Sequence, residues 1–201
     1  GRYAAGSGLV RVDHKGVTMQ HLHVFGGASE LRNLTATDHW RLKIPVGANI
    51  SDEVLRDLQW ERLESVPDSN AHSVTFQHKG YIYHGSPLNN DFGVQATQSI
   101  DVCRRTNKFG VDSHHAALLG TFWRYPTVVS DASTAETGHW ERVQDMPHPA
   151  GQALVVELPD ERFLVVGGSN VQVEDGGTAT VEPNNWVRLY NPERGWEVTS
   201  S

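Results

Sequence analysis

Glu161-Arg162-Phe163-Leu164-Val165-Val166-Gly167-Gly168 is a hydrophobic run of strand length that ends in two glycines. Upstream lies Trp140-Glu141-Arg142-Val143-Gln144-Asp145-Met146-Pro147. Downstream lie Val187-Arg188-Leu189-Tyr190-Asn191-Pro192 and then Trp196. The same order of signals occurs twice more along the chain, and a series repeated in order is the mark of stacked structural units.

Residues 6–13 read as a strand, His14-Lys15-Gly16 as a turn, and residues 18–25 as a second strand that stops at Gly26-Gly27. Residues 38–44 make the third strand, with Trp40, Leu42 and Ile44 on one face. Ser51 then suits a helix N-cap, Asp52 and Glu53 suit the first turn, and Val54, Leu55 and Leu58 share a face, so a short helix is expected. Trp60-Glu61-Arg62-Leu63 is the fourth strand, closed by Pro67.

The second pass opens with residues 71–76, and His78-Lys79-Gly80 repeats the first turn letter for letter. Residues 81–85 follow as strand two, and residues 99–104 read as strand three. Trp140-Glu141-Arg142-Val143 matches Trp60-Glu61-Arg62-Leu63, which places an insert, 106–138, between strands three and four. The third pass has strands at 152–157, 162–166, 187–190 and 196–198. Trp60 to Pro67 and Trp140 to Pro147 span the same seven residues, and these equal spacings decide for a repeat. The approximate units are 1–67, 68–147 and 148–201.

Each unit is a meander of four short strands. A lone four-stranded sheet cannot bury both faces, so the units must stack face to face. Glycines at the inner strand end and a tryptophan at the outer strand suit radial packing into blades. The expected fold class is therefore all-β, with about three four-stranded antiparallel blades, loop insertions and an incomplete ring.

A hydrophobic strand ending in Gly-Gly, then a Tyr-bearing strand, then Trp six residues after the Tyr, resembles the kelch repeat. Gly167-Gly168, Tyr190 and Trp196 carry the resemblance best, and Gly26-Gly27 with Trp60 carry it well. In the middle unit His84 stands where the first glycine is expected, and no tyrosine marks the strand read as its third. No Trp-Asp dipeptide ends a unit, which disfavours WD-type blades. The resemblance implies a ring of about six or seven blades, within the usual range of about four to eight. Three blades leave an apolar face open at each end, so the chain is expected to be part of a longer propeller or to pair with a second copy or another subunit. Residue 1 is Gly rather than Met, and a fragment or an assembly subunit is expected over a free monomer.

Composition narrows the function. A net charge of -7 argues against a general nucleic-acid binder. The single cysteine, Cys103, excludes an intrachain disulfide framework and favours a reducing, cytoplasmic setting, whereas two glycosylation sequons, Asn33-Leu34-Thr35 and Asn49-Ile50-Ser51, point the other way. No apolar stretch is long enough to span a membrane, and Gly1-Arg2-Tyr3-Ala4 does not read as a signal peptide.

Eleven histidines invite a metal reading, and His21 and His23 share a strand face. No spacing matches a known zinc ligand run, so no metal and no cofactor are expected. Neither a nucleophile elbow nor a phosphate loop is present. Cys103 lies beside Arg104 and Arg105, which would lower its pKa. Some kelch-like folds are copper oxidases with a cysteine cross-linked to tyrosine, and others are sugar epimerases. The stretch Phe122-Trp123-Arg124-Tyr125, with Arg104 and Arg105 upstream, concentrates the residue types of binding hot spots. The same aromatics could instead pin the insert against its own blade. The expected function is a non-enzymatic scaffold for protein partners or a structural subunit. The alternative is the partial propeller of a sugar-directed oxidase or epimerase.

Overall fold

The computed structural model describes residues 2–3, 5–14, 17–29, 37–46, 51–67, 73–85, 88–89, 117–118, 120–127, 138–173 and 179–200. Three four-stranded antiparallel sheets make up the body, and they do not close a ring. The first sheet runs in the order Gly6–His14, Val17–Phe25, His39–Pro45, Trp60–Leu63. The middle sheet runs Val74–His78, Tyr81–Gly85, Phe122–Pro126, Glu141–Arg142. The third runs Leu154–Glu157, Phe163–Val166, Val187–Asn191, Gly195–Ser200. Each is a meander, and the first strands of all three lie side by side along the inside. The expected helix forms as one short turn, Asp52–Arg56, with two acids at its positive end and Arg56 at the other.

Strand three of the middle sheet differs from the sequence expectation. It is Phe122–Pro126, paired on one side with Tyr81–Gly85 and on the other with Glu141–Arg142. Residues 99–104 lie outside the described residues. The stretch expected to interrupt the meander after strand three thus contains strand three itself. The expectation missed because the connection between strands two and three, residues 86–121, is longer here than in the other units, while the stretch from strand three to the tryptophan matches that of the first sheet. The tyrosine expected of that strand is Tyr125, whose ring stands 5.1 Å from Trp140, as Tyr190 stands 4.8 Å from Trp196.

Register aligns the units residue by residue. Leu22 pairs with Leu42 and Leu42 with Trp60; Phe163 pairs with Tyr190 and Tyr190 with Trp196. Ile82 pairs with Tyr125, next to Trp140. His84, two residues on from Ile82, is therefore level with Val24 and Val165 and not with the glycines. The glycine pairs that end the second strands do need their special backbone: Gly26 and Gly27 have φ of 62° and 88°, Gly167 and Gly168 of 66° and 91°. At Gly168 a Cβ would also sit 2.5 Å from the Gly151 carbonyl.

The core lies between sheets. Between the middle and third sheets, Phe76 stacks on Phe163 at 4.3 Å and on Tyr83 at 5.0 Å, and Phe122 meets Trp196 edge-on at 5.1 Å. Between the first and middle sheets lie Phe25, Leu63, Val66, Ile82, Tyr125 and Trp140. Both junctions carry the same clasp. The Trp140 backbone N–H donates to Glu64 Oε2 at 2.8 Å and its indole Nε1–H to the Glu64 carbonyl at 3.3 Å. The Trp196 N–H donates to Gln144 Oε1 at 2.8 Å and its Nε1–H to the Gln144 carbonyl at 3.1 Å. Each acceptor is the fourth residue after the tryptophan of its own sheet, so one sequence spacing sets the stacking register.

Arg188 bolts the third sheet to the turn before it. It is fully buried and donates to the Pro147 and Trp186 carbonyls and to Asn184 Oδ1, at 3.0, 3.3 and 2.7 Å. Burial lowers its pKa to about 10.

Candidate functional site

Of the six residues expected to bind a partner, Arg104 and Arg105 lie outside the described residues. Phe122 and Tyr125 are buried, 0% and 1% exposed, on opposite faces of the middle sheet. Trp123 and Arg124 are half-buried. Arg124 Nε donates to Glu141 Oε2 at 2.7 Å, and its guanidinium lies 4.7 Å from the Tyr81 ring centre. The stretch is thus a strand whose aromatics pack against its own neighbours, and Trp123 and Arg124 keep the surface a partner could touch.

The turns between inner strands frame an open groove of about 350 Å³. Arg11, His78, Lys79, Glu157 and Glu161 line it. Lys79 Nζ and the Glu161 carboxylate form an ion pair, and His78 Nδ1 lies 3.9 Å from Glu157 Oε1. The hydrogen bond between Lys79 and Glu161 raises the lysine pKa and lowers that of the carboxylate. The groove offers hydrogen-bonding groups to a polar ligand.

The sequence did not show that histidines gather inside. Alternation along Val17–Phe25 turns His21, His23 and Phe25 toward the middle sheet, and the next strand adds His39 and Arg41. The middle sheet adds His84. His23, His39 and His84 are all 0% exposed. His23 Nδ1 and His39 Nε2 are 2.8 Å apart, so one ring donates and the other accepts. Thr75 Oγ1 lies 3.4 Å from His84 Nδ1. Among the described residues, His23 Nε2 and His84 Nε2 have no hydrogen-bond partner. Burial, then the charges of His39, Arg41 and His21, pushes the His23 pKa down to about 3. Burial and His39 push His84 to about 3. Burial lowers His39 to about 4, against a hydrogen bond to the Glu64 backbone, with Arg41 lowering it further. The rings are therefore neutral at pH 7. Arg41 itself is held by Glu61, with Nε and Nη2 donating to Oε2 at 3.0 and 2.7 Å. Burial raises the Glu61 pKa, and the bonds and charges of Arg41 and Lys43 hold it below the ordinary value. At the other junction the level positions carry Tyr83, Phe122 and Val165 in place of His23, His39 and His84. Among the described residues no three His, Cys, Asp or Glu side chains converge as a metal site. Cys103, His114 and His115 lie outside the described residues.

Each end face of the stack exposes apolar side chains. On the outer face of the first sheet, Leu9, Leu22, Leu42 and Trp60 form one row across four strands. Leu9 and Trp60 are 49% and 47% exposed. On the outer face of the third sheet, Leu154 and Val156 are 64% and 41% exposed. Among the described residues no helix is long and apolar enough to cross a membrane.

No protein-family model matches this chain. No curated protein matches it either. Solved structures do share its fold. A structure described as that of YjhT aligns with 99% of this chain at a TM-score of 0.57 and 16% sequence identity. The alignment takes in 52% of that chain, so the present chain spans about half its length.

Proposed function

We propose that residues 1–201 are three kelch-like blades, 1–67, 68–147 and 148–201, that act as a non-enzymatic scaffold or structural subunit within a larger, cytoplasmic assembly. The observation that carries this reading is the pair of apolar end faces. Burial of apolar surface is the main drive of association, at about 25 cal/mol per Å², and contiguous exposed apolar faces mark interaction sites. Trp123 and Arg124, on the third strand of the middle sheet, are the residues best placed for recognition by a protein partner. The single cysteine in the sequence supports the reducing compartment.

The polar groove favours a second reading, a sugar-directed oxidase or epimerase. The experiment that separates them is turnover by the protein in its native assembly. A panel of aldoses and amino sugars is followed by NMR for epimerisation and by peroxide release, with and without copper(II), for oxidation. The scaffold reading expects no turnover. Saturable turnover lost on Lys79→Ala would overturn it in favour of the enzyme.

A further inference from the structure

The tryptophans of the three sheets are level with one another, yet they differ sharply in exposure. Trp140 is 8% exposed and Trp196 is 7% exposed, while Trp60 is 47% exposed. Each buried tryptophan reaches back toward the preceding sheet and closes its clasp on Glu64 or Gln144. Trp60 points the same way, off the outer face of the first sheet. Its row is complete: Leu9, Leu22, Leu42 and Trp60 stand level with Gln77, Ile82, Tyr125 and Trp140 in the middle sheet, and with Glu157, Phe163, Tyr190 and Trp196 in the third. In those two rows the residues of strands two, three and four are buried, while Gln77 is half-buried and Glu157 exposed.

We propose that this row is the seat for one further four-stranded blade from outside residues 1–201, whose fourth strand runs on into an apolar residue, a Glu or Gln, any residue, and Val or Met. This deepens the scaffold reading above and rests on it. The required chemistry is read from the two filled junctions. Leu63-Glu64-Ser65-Val66 and Val143-Gln144-Asp145-Met146 each supply an apolar shelf on both sides of the acceptor. The acceptor's side-chain oxygen takes the tryptophan N–H, and its carbonyl takes the indole N–H. A second copy of this chain does not fit the seat. The full series occurs twice in residues 1–201, and both occurrences are already filled, by Trp140 and Trp196.

The test uses the full chain extended at its N-terminus by a duplicate of residues 1–67, with Trp60→Phe in the added copy. A second Glu64 thus precedes Gly1. Tryptophans are labelled with 5-fluorotryptophan, and the Trp60 resonance is assigned by its loss in Trp60→Phe of the original copy. In the 201-residue chain this resonance carries a large H2O/D2O isotope shift. In the extended chain the shift falls to the level of Trp140 and Trp196. Glu64→Gln in the added copy keeps that protection, since Gln144 is the natural acceptor at the second junction, and Glu64→Ala loses part of it. An extended chain that unfolds cooperatively while Trp60 keeps its full isotope shift overturns the proposal. Protection that grows with concentration in the unextended chain identifies a second copy as the occupant; it overturns the proposal and leaves the scaffold reading standing. Sugar turnover is what sinks that reading.

Discussion

Acid should loosen this protein well above the range in which carboxylates titrate, and the histidines between the first two sheets set the size of the effect. In the folded chain His23 and His84 hold pKa values near 3 and His39 near 4, against an ordinary 6.5. A depressed histidine pKa means that the unfolded chain binds the extra protons. Stability is therefore full above pH 6.5 and falls as the pH drops through 6.5, levelling only below the folded values. At pH 5 each ring is about 1.5 pH units below its unfolded pKa, which costs about 2 kcal/mol per ring. Three rings cost about 6 kcal/mol, comparable with the roughly 5–15 kcal/mol by which a domain is stable. The assay is urea unfolding followed by tryptophan fluorescence at pH 7.5 and pH 5. His84→Val copies the level residue Val165, keeps stability at pH 7.5, and removes one proton from the balance. It should recover about 2 kcal/mol of the loss at pH 5. Stability at pH 5 within about 1 kcal/mol of that at pH 7.5, or an unchanged pH slope in His84→Val, would refute the reasoning.

Other substitutions test particular contacts. Arg188→Ala strands the Asn184 side chain and the Pro147 carbonyl inside the protein and should cost about 3 kcal/mol or more in urea unfolding. Gly168→Ala combines a φ of 91° with the 2.5 Å approach to the Gly151 carbonyl, and a loss of about 1–3 kcal/mol is expected by the same measurement. Phe122→Ala should lower stability by about 3–5 kcal/mol, because the ring is fully buried. Trp123→Ala should cost much less in unfolding and act instead on binding of a protein partner, read by calorimetry. A double-mutant cycle on Arg124 and Glu141 should return a coupling of about 1 kcal/mol or less, since both groups are substantially exposed.

Much of the architecture was legible because blades are built from local signals. The meander of the third sheet needs no long-range information: Phe163–Val166 ends in two glycines with positive φ, and Val187–Asn191 turns through Asn191-Pro192 into the Trp196 strand. The middle sheet was harder. Residues 99–104 read as its third strand and Phe122–Tyr125 as part of an insert, and only the pairing of Phe122–Pro126 with Tyr81–Gly85 shows that this stretch belongs to the sheet. The site was less legible than the fold. His21 and His23 visibly share a face, but their meeting with His39 and His84 depends on two strands from different regions coming together across a junction. A usable signal was present: His84 sits where the third unit has Val165, and a polar ring at an apolar repeat position marks a junction that differs from its neighbour. Arg188 shows the same effect, a charge level with Trp40 and Trp123 that only the buried carbonyls of its own turns explain.

The central claim is that three stacked blades leave two apolar faces to be covered, and the most direct test is the mass of the chain in solution. Sedimentation equilibrium across a wide concentration range, on the 22.3 kDa chain alone, reads it. The account predicts a weight-average mass that climbs above the monomer value as concentration rises, through the exposed outer face of the third sheet, and that is reduced by Leu154→Arg. A monomer at every concentration, unfolding cooperatively and indifferent to that substitution, would contradict it.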